Sequence, residues 1–164
     1  MSIPKIAEKI RGSFSTEILS MEEIKDHLVI TLRKNKIHDI LRFLKEDPEG
    51  SCEMLIDLCG VDYLPLGEKP RFEVVYHLFS LTHHHRLRLR VKVDEEDTVL
   101  PTSSDLWKSA DWFEREAAEM FGFEFKDHPN PRHLLLFEGF EGHPLRKDYP
   151  MAKRQRIPVP EENP

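Results

Sequence analysis

Residues Asp111 to Pro150 read DWFEREAAEMFGFEFKDHPNPRHLLLFEGFEGHPLRKDYP. Ala110, Phe113, Ala117, Met120 and Phe121 recur at helical spacing, which predicts a helix that Gly122 ends in a left-handed conformation. At about 100° per residue these positions, widened by Trp112 and Ala118, make a broad apolar arc. Glu114 and Glu116 fall inside that arc. Asp111, Arg115 and Glu119 point away from it, with Arg115 and Glu119 spaced as an i,i+4 ion pair. Carboxylates among aromatic rings are costly unless each meets a cation or several donors. The run Gly142-His143-Pro144-Leu145-Arg146-Lys147-Asp148-Tyr149-Pro150 supplies cations and is too rich in proline to be helical. The two pieces therefore read as built for each other, or jointly for a neighbouring chain. Arg146 is expected to take Glu114, Glu116 or a partner's acid bidentately, with Lys147 left freer. In the plainer alternative, Glu114 and Glu116 are solvated.

Upstream, the pattern is that of a platform. Ile3 to Ile10 predicts a short amphipathic helix that packs on the domain. Glu17 to Ser20 suggests a brief strand, and His27 to Leu32 alternates as a longer one. Ile37, Ile40, Leu41 and Leu44 predict a helix over 36–46 that ends at Asp47-Pro48-Glu49-Gly50. Met54 to Tyr63 reads as a buried strand. Phe72 to Leu81 and Arg86 to Val93 form a hairpin whose second arm alternates strictly, turning Arg88, Arg90 and Lys92 to solvent or to a partner. Residues 98–104 read as a turn, and Ser109 as the cap of the following helix. Strand, helix, strand and hairpin make a two-layer α+β domain with a mixed or antiparallel sheet and a few helices. The division expected is an α+β domain over 1–125, ending in the Glu-Arg-Glu helix, and an irregular proline-rich C-terminal extension over 126–164. From Met151 onward the tail has almost nothing to bury, and is expected to order against a partner.

Composition excludes several classes. With a net charge of −6 and 33% charged residues, the chain is not the basic protein a nucleic-acid binder would be. Its two cysteines, Cys52 and Cys59, cannot supply a four-thiolate cluster. In a strand they would lie roughly 23 Å apart, so free thiols are expected. No leader pattern opens the sequence, and no window approaches the roughly 20 apolar residues that span a bilayer. The triplet His83-His84-His85 reads as an exposed hairpin end, because neighbouring side chains of an extended segment point to opposite faces.

Glu114-Arg115-Glu116, Glu119-Met120-Phe121-Gly122, His128-Pro129, Arg132, Leu134-Leu135 and Glu141 to Pro150 follow in an order that resembles the 30 kDa subunit of respiratory complex I, the NADH–quinone oxidoreductase of bacteria. The resemblance implies a non-catalytic scaffold of the hydrophilic arm, with no catalytic, cofactor-binding or metal-binding residue of its own. FMN, iron–sulfur clusters and quinone would belong to partner subunits. Glu114, Arg115, Glu116, His128, Arg132, His143, Arg146, Lys147 and Asp148 would serve structure and partner binding. The partners implied are other hydrophilic-arm subunits, above all the large quinone-module subunit, on the cytoplasmic face of the inner membrane. Ending at Pro164, the chain is expected not to be fused to the next subunit. An equivalent subunit of an energy-converting hydrogenase or of a dehydrogenase with another donor is the alternative. A metal-dependent hydrolase using His128, His133 and His143 with Glu114 or Glu116 as base is a distant one.

Overall fold

A computed structural model describes residues 3–25 and 27–157. Helix α1 (Ile3–Phe14) leads into strands β1 (Ile18–Ile24) and β2 (His27–Arg33), then helix α2 (Ile37–Glu46). Strands β3 (Met54–Asp62), β4 (Phe72–Phe79) and β5 (Arg86–Val93) complete a five-stranded sheet in the order β1-β2-β5-β4-β3. β2 and β5 run parallel and the other neighbours antiparallel, so the sheet is mixed and the fold is α+β.

Alternation along the strands decides the layers. Leu28, Ile30, Leu32, Val74, Tyr76, Leu78, Leu87, Leu89, Val91 and Val93 are buried in one core with Ile6 and Ile10 of α1 and Ile37, Ile40, Leu41 and Leu44 of α2. The two helices also touch each other, with Phe14 edge-on to Phe43 at 5.5 Å and Lys9 paired to Asp47 at 2.9 Å. The opposite face carries Asp57, Cys59, Glu73, His77, Arg88, Arg90 and Lys92.

Residues 98–104, expected as a turn, differ in part. Val99–Pro101 is a strand, β6, and pairs in parallel with β7 (Glu124–Lys126) across helix α3 (Ala110–Phe121). Three residues are too few for a period to show, and the partner strand lies beyond a helix. The basic outer arm of β5 is also less free than its alternation implied. Glu73, 1% exposed, takes Arg90 at 2.7 Å and Lys92 at 3.0 Å.

The histidine triplet is a second correction. His83 and His85 stack at 5.6 Å and reach the carbonyls of Pro48 and Gly50 at 2.6 and 3.0 Å, and His85 is buried. They latch the β4–β5 turn onto the α2–β3 loop. His84 alone matches the expectation of an exposed hairpin end.

Candidate functional site

Helix α3 lies along β3 at the edge of the large sheet. Gly60 permits the approach: a Cβ there would meet the ring of Phe121 at 2.5 Å. The helix ends as its sequence predicts, with Gly122 at φ 79° and its N–H bonded to the carbonyl of Ala118 at 2.8 Å. A helix leaves its last four carbonyls without partners of its own. Here the remaining three are taken by the C-terminal segment. His143 Nδ1 donates to Glu119 O at 2.9 Å, the Leu145 amide to Met120 O at 3.1 Å, and Arg146 Nε to Phe121 O at 2.6 Å. The cation of Arg146 stands at the negative end of the helix dipole, over the ring of Phe72 at 5.0 Å.

This corrects the expected pairing. The two pieces are built for each other, but Arg146 binds a main-chain carbonyl and takes neither glutamate. Glu114, wholly buried, is met by the amide and hydroxyl of Ser103 at 2.6 Å each and by the Thr102 hydroxyl at 2.5 Å. Burial pushes its carboxyl up from the ordinary range, against those hydrogen bonds and His128. Glu116 is exposed. Neutral donors from a loop just upstream satisfy the buried acid, and spacing alone gives no sign of them. Ser109, expected as the cap of α3, instead donates its Oγ to Leu55 O at 3.0 Å.

Glu119, expected on the polar face, is buried. Its carboxylate gathers the amides of Leu134, Leu135 and Leu136 at 2.9, 2.8 and 3.3 Å, with His133 at 3.2 Å. Arg115 turns away from Glu119 and donates to the carbonyls of Arg132 and His133 at 2.9 and 3.0 Å. Arg132 itself holds Asn130 Oδ1 at 2.8 Å. His128 accepts the Asn130 amide on Nδ1, so its Nε2–H donates to Asp111 O at 3.1 Å. Helix α3 thus fixes the irregular segment in several places, mostly through backbone groups.

A further anchor is invisible to spacing. Asp62 accepts from Arg71 at 2.8 and 3.0 Å and from the Lys147 amide at 2.8 Å. Arg71 also holds Asp148 at 2.9 Å and Glu95 at 2.5 Å. Burial pushes the Asp62 carboxyl up, but the Arg71 fork and the amides of Lys147 and Leu64 outweigh it and hold it at about 2. Lys147 contributes its backbone N–H, and its side chain is exposed, as expected.

Between α3 and the segment lies a cleft of about 280 Å³ walled by Ala118, Phe123, Phe125 and Pro131, with Glu114, Glu119 and three histidines at its margin. His128, His133 and His143 are each committed to the chain's own groups there. Among the described residues, the group of three side chains near enough to share an ion is Asp57, Cys59 and His77, on the far face of the sheet. The hydrolase arrangement does not form.

The sequence pattern of the family described as "Respiratory-chain NADH dehydrogenase, 30 Kd subunit" matches residues 30–155. A protein of Hyphomonas neptunium, named as a subunit of NADH-quinone oxidoreductase, is 43% identical over 156 residues, 95% of this chain and 76% of the relative. One of the same name from Roseiflexus sp. strain RS-1 is 43% identical over 150 residues, 92% and 85% of the two chains. Among solved structures, the trypsin-resistant fragment (1-134) of Nqo5 is 32% identical with a TM-score of 0.69, covering 79% of this chain and 99% of the fragment. A chain from an archaeal membrane-bound sulfane sulfur reductase, 23% identical over 90% of this chain and 85% of its own, shares the fold at a TM-score of 0.73.

Proposed function

Because the chain belongs to the respiratory-chain NADH dehydrogenase 30 Kd subunit family, we propose that it is a non-catalytic scaffold in the hydrophilic arm of the NADH–quinone oxidoreductase to which it belongs. The names of its relatives favour the NADH-fed complex over a hydrogenase. In this reading the flavin, iron–sulfur clusters and quinone reside in partner subunits, and proton translocation is carried out by the complex as a whole. Its partner is the large quinone-module subunit, on the cytoplasmic face of the membrane. Among the described residues no helix is long and apolar enough to cross a bilayer, so attachment through other subunits is the route proposed.

The observation that carries the reading is the C-terminal segment. It has little regular structure, is pinned from behind by α3 and Asp62, and turns apolar side chains outward. Leu135 is 63% exposed, Leu145 49% and Ile157 72%. Exposed leucines on a backbone whose amides are already bonded suit a surface prepared for another protein. The tail is also less free than its composition implied. Gln155 bonds Glu141 N and O at 2.9 and 2.8 Å and Tyr149 Oη at 2.9 Å, so the path is set that far; residues 158–164 lie outside the described part.

The test replaces Leu135 and Leu145 by Asp in the full chain. The free protein should keep its thermal midpoint, because neither side chain is in the core, while the amount of assembled complex falls severalfold. Unchanged assembly with both replaced would refute the docking role. The free chain should also show no flavin or iron–sulfur absorbance and no turnover with NADH and a quinone analogue.

A further inference from the structure

We propose that Asp57, Cys59 and His77 form a zinc site on the outer face of the large sheet. Asp57 and Cys59 are two apart on β3 and so share a face, and His77 of β4 stands directly opposite Asp57. One ligand atom from each lies within 4.8 Å of the others, and all three residues are half-buried. Zinc takes thiolate at about 2.3 Å and imidazole or carboxylate at about 2.0–2.2 Å, which puts tetrahedral ligands roughly 3.5 Å apart. Closing the triad therefore needs about an ångström of side-chain rotation, with no strand moved.

Three protein ligands leave one position of a tetrahedral zinc ion open. The charges nearby are mixed: Asp57, Glu116 and Glu73 stand near Cys59 with Arg88, Glu73 is already paired with Arg90 and Lys92, and Arg88 and Arg86 stand near His77. Zinc binds the thiolate, so the Cys59 Sγ proton leaves to water as the zinc–sulfur bond forms. Beside the triad is a cavity of about 300 Å³ that Arg86 and Arg88 also line. Arg88 Nε is buried there without a hydrogen-bond partner among the described residues. An anionic or water ligand on the ion would sit within that cavity and give Arg88 its acceptor. The site lies on the sheet face opposite the main core, carries no redox role, and departs from the expectation that the chain binds no metal.

The experiment titrates cobalt(II) into the full-length, chelator-treated chain without an affinity tag, then displaces it with zinc. One cobalt per chain should give the visible bands of four-coordinate cobalt and a thiolate-to-cobalt charge-transfer band. Cys59→Ser should abolish the charge-transfer band, and His77→Gln should weaken binding at least tenfold. If Cys59→Ser does not fold, His77→Gln alone decides. Absence of the band at one equivalent, its survival in Cys59→Ser, or unchanged affinity in His77→Gln would overturn the site.

Discussion

At the scale of residues, two buried carboxyls behave oppositely. Asp62 has a folded value of about 2 against an ordinary 3.8, so its charged form stabilises the fold above that ordinary value, and the contribution fades as pH falls through the interval. That difference corresponds to about 2 kcal/mol at neutral pH. Asp62→Asn should therefore lose most against wild type at neutral pH and least near pH 2, which acid-series denaturant melts will measure. Glu114 is raised, so its charged form costs stability as pH rises above 4.5. Its partners are neutral donors, which an amide can still serve. Glu114→Gln should thus gain on wild type from acid to neutral pH, whereas Glu114→Ala strands the Ser103 amide at about 1–3 kcal/mol. A Gln variant that loses ground with rising pH would contradict the environment described. Gly122 is constrained twice, by its φ of 79° and by His143 and Arg146 at 2.6 Å from where a Cβ would be. The left-handed conformation alone costs a non-glycine residue about 1–2 kcal/mol. Gly122→Ala should destabilise the fold by more than that cost in urea melts, because the cap must also move.

Elements divide into those legible in the sequence and those that are not. α2, β5 and α3 are legible because each buries one face over several periods, β4 because an apolar run precedes β5 at hairpin spacing, and the Gly122 ending because one residue suffices to mark it. The partners of Glu114, Glu119 and Asp62 are not. Those of Glu114 and Glu119 are chiefly backbone amides and hydroxyls supplied by loops, Asp62 adds the Arg71 guanidinium to two such amides, and no periodicity marks a loop amide. Arg71 is 77 residues from Asp148, and only the folded sheet brings them together. The histidine triplet departs from expectation for a related reason: a hairpin end looks free until the loop it rests on is placed. His84→Ser should stay within about 0.5 kcal/mol of wild type. His85→Ala strands the Gly50 carbonyl and leaves a gap, and should cost about 1–3 kcal/mol. Equal effects of the two in urea melts would mean that the latch does not form.

The whole molecule is a platform whose last helix holds an irregular segment in place for a neighbour. The hold is distributed over three carbonyls at the end of α3, the carboxylate of Glu119 and the Asp62–Arg71–Asp148 cluster. Arg71 bridges buried and exposed acids. Arg71→Ala should cost about 3–5 kcal/mol, the scale for stranding a buried charge, and Arg71→Lys should restore part of it. Limited proteolysis should cut the free chain beyond Gln155 sooner than between Leu134 and Asp148, and the assembled complex should protect both regions.

The most direct measurement is amide hydrogen exchange, by NMR, in the free full-length chain. The amides of Leu134, Leu135, Leu145 and Lys147 donate to Glu119, Met120 O and Asp62, and should be protected although no partner is present. Glu119→Gln should reduce protection at Leu134 and Leu135 while Leu145 and Lys147 keep theirs. Exchange of all four at the rate of an unstructured chain would mean that α3 does not pre-set the segment, and would contradict the scaffold described.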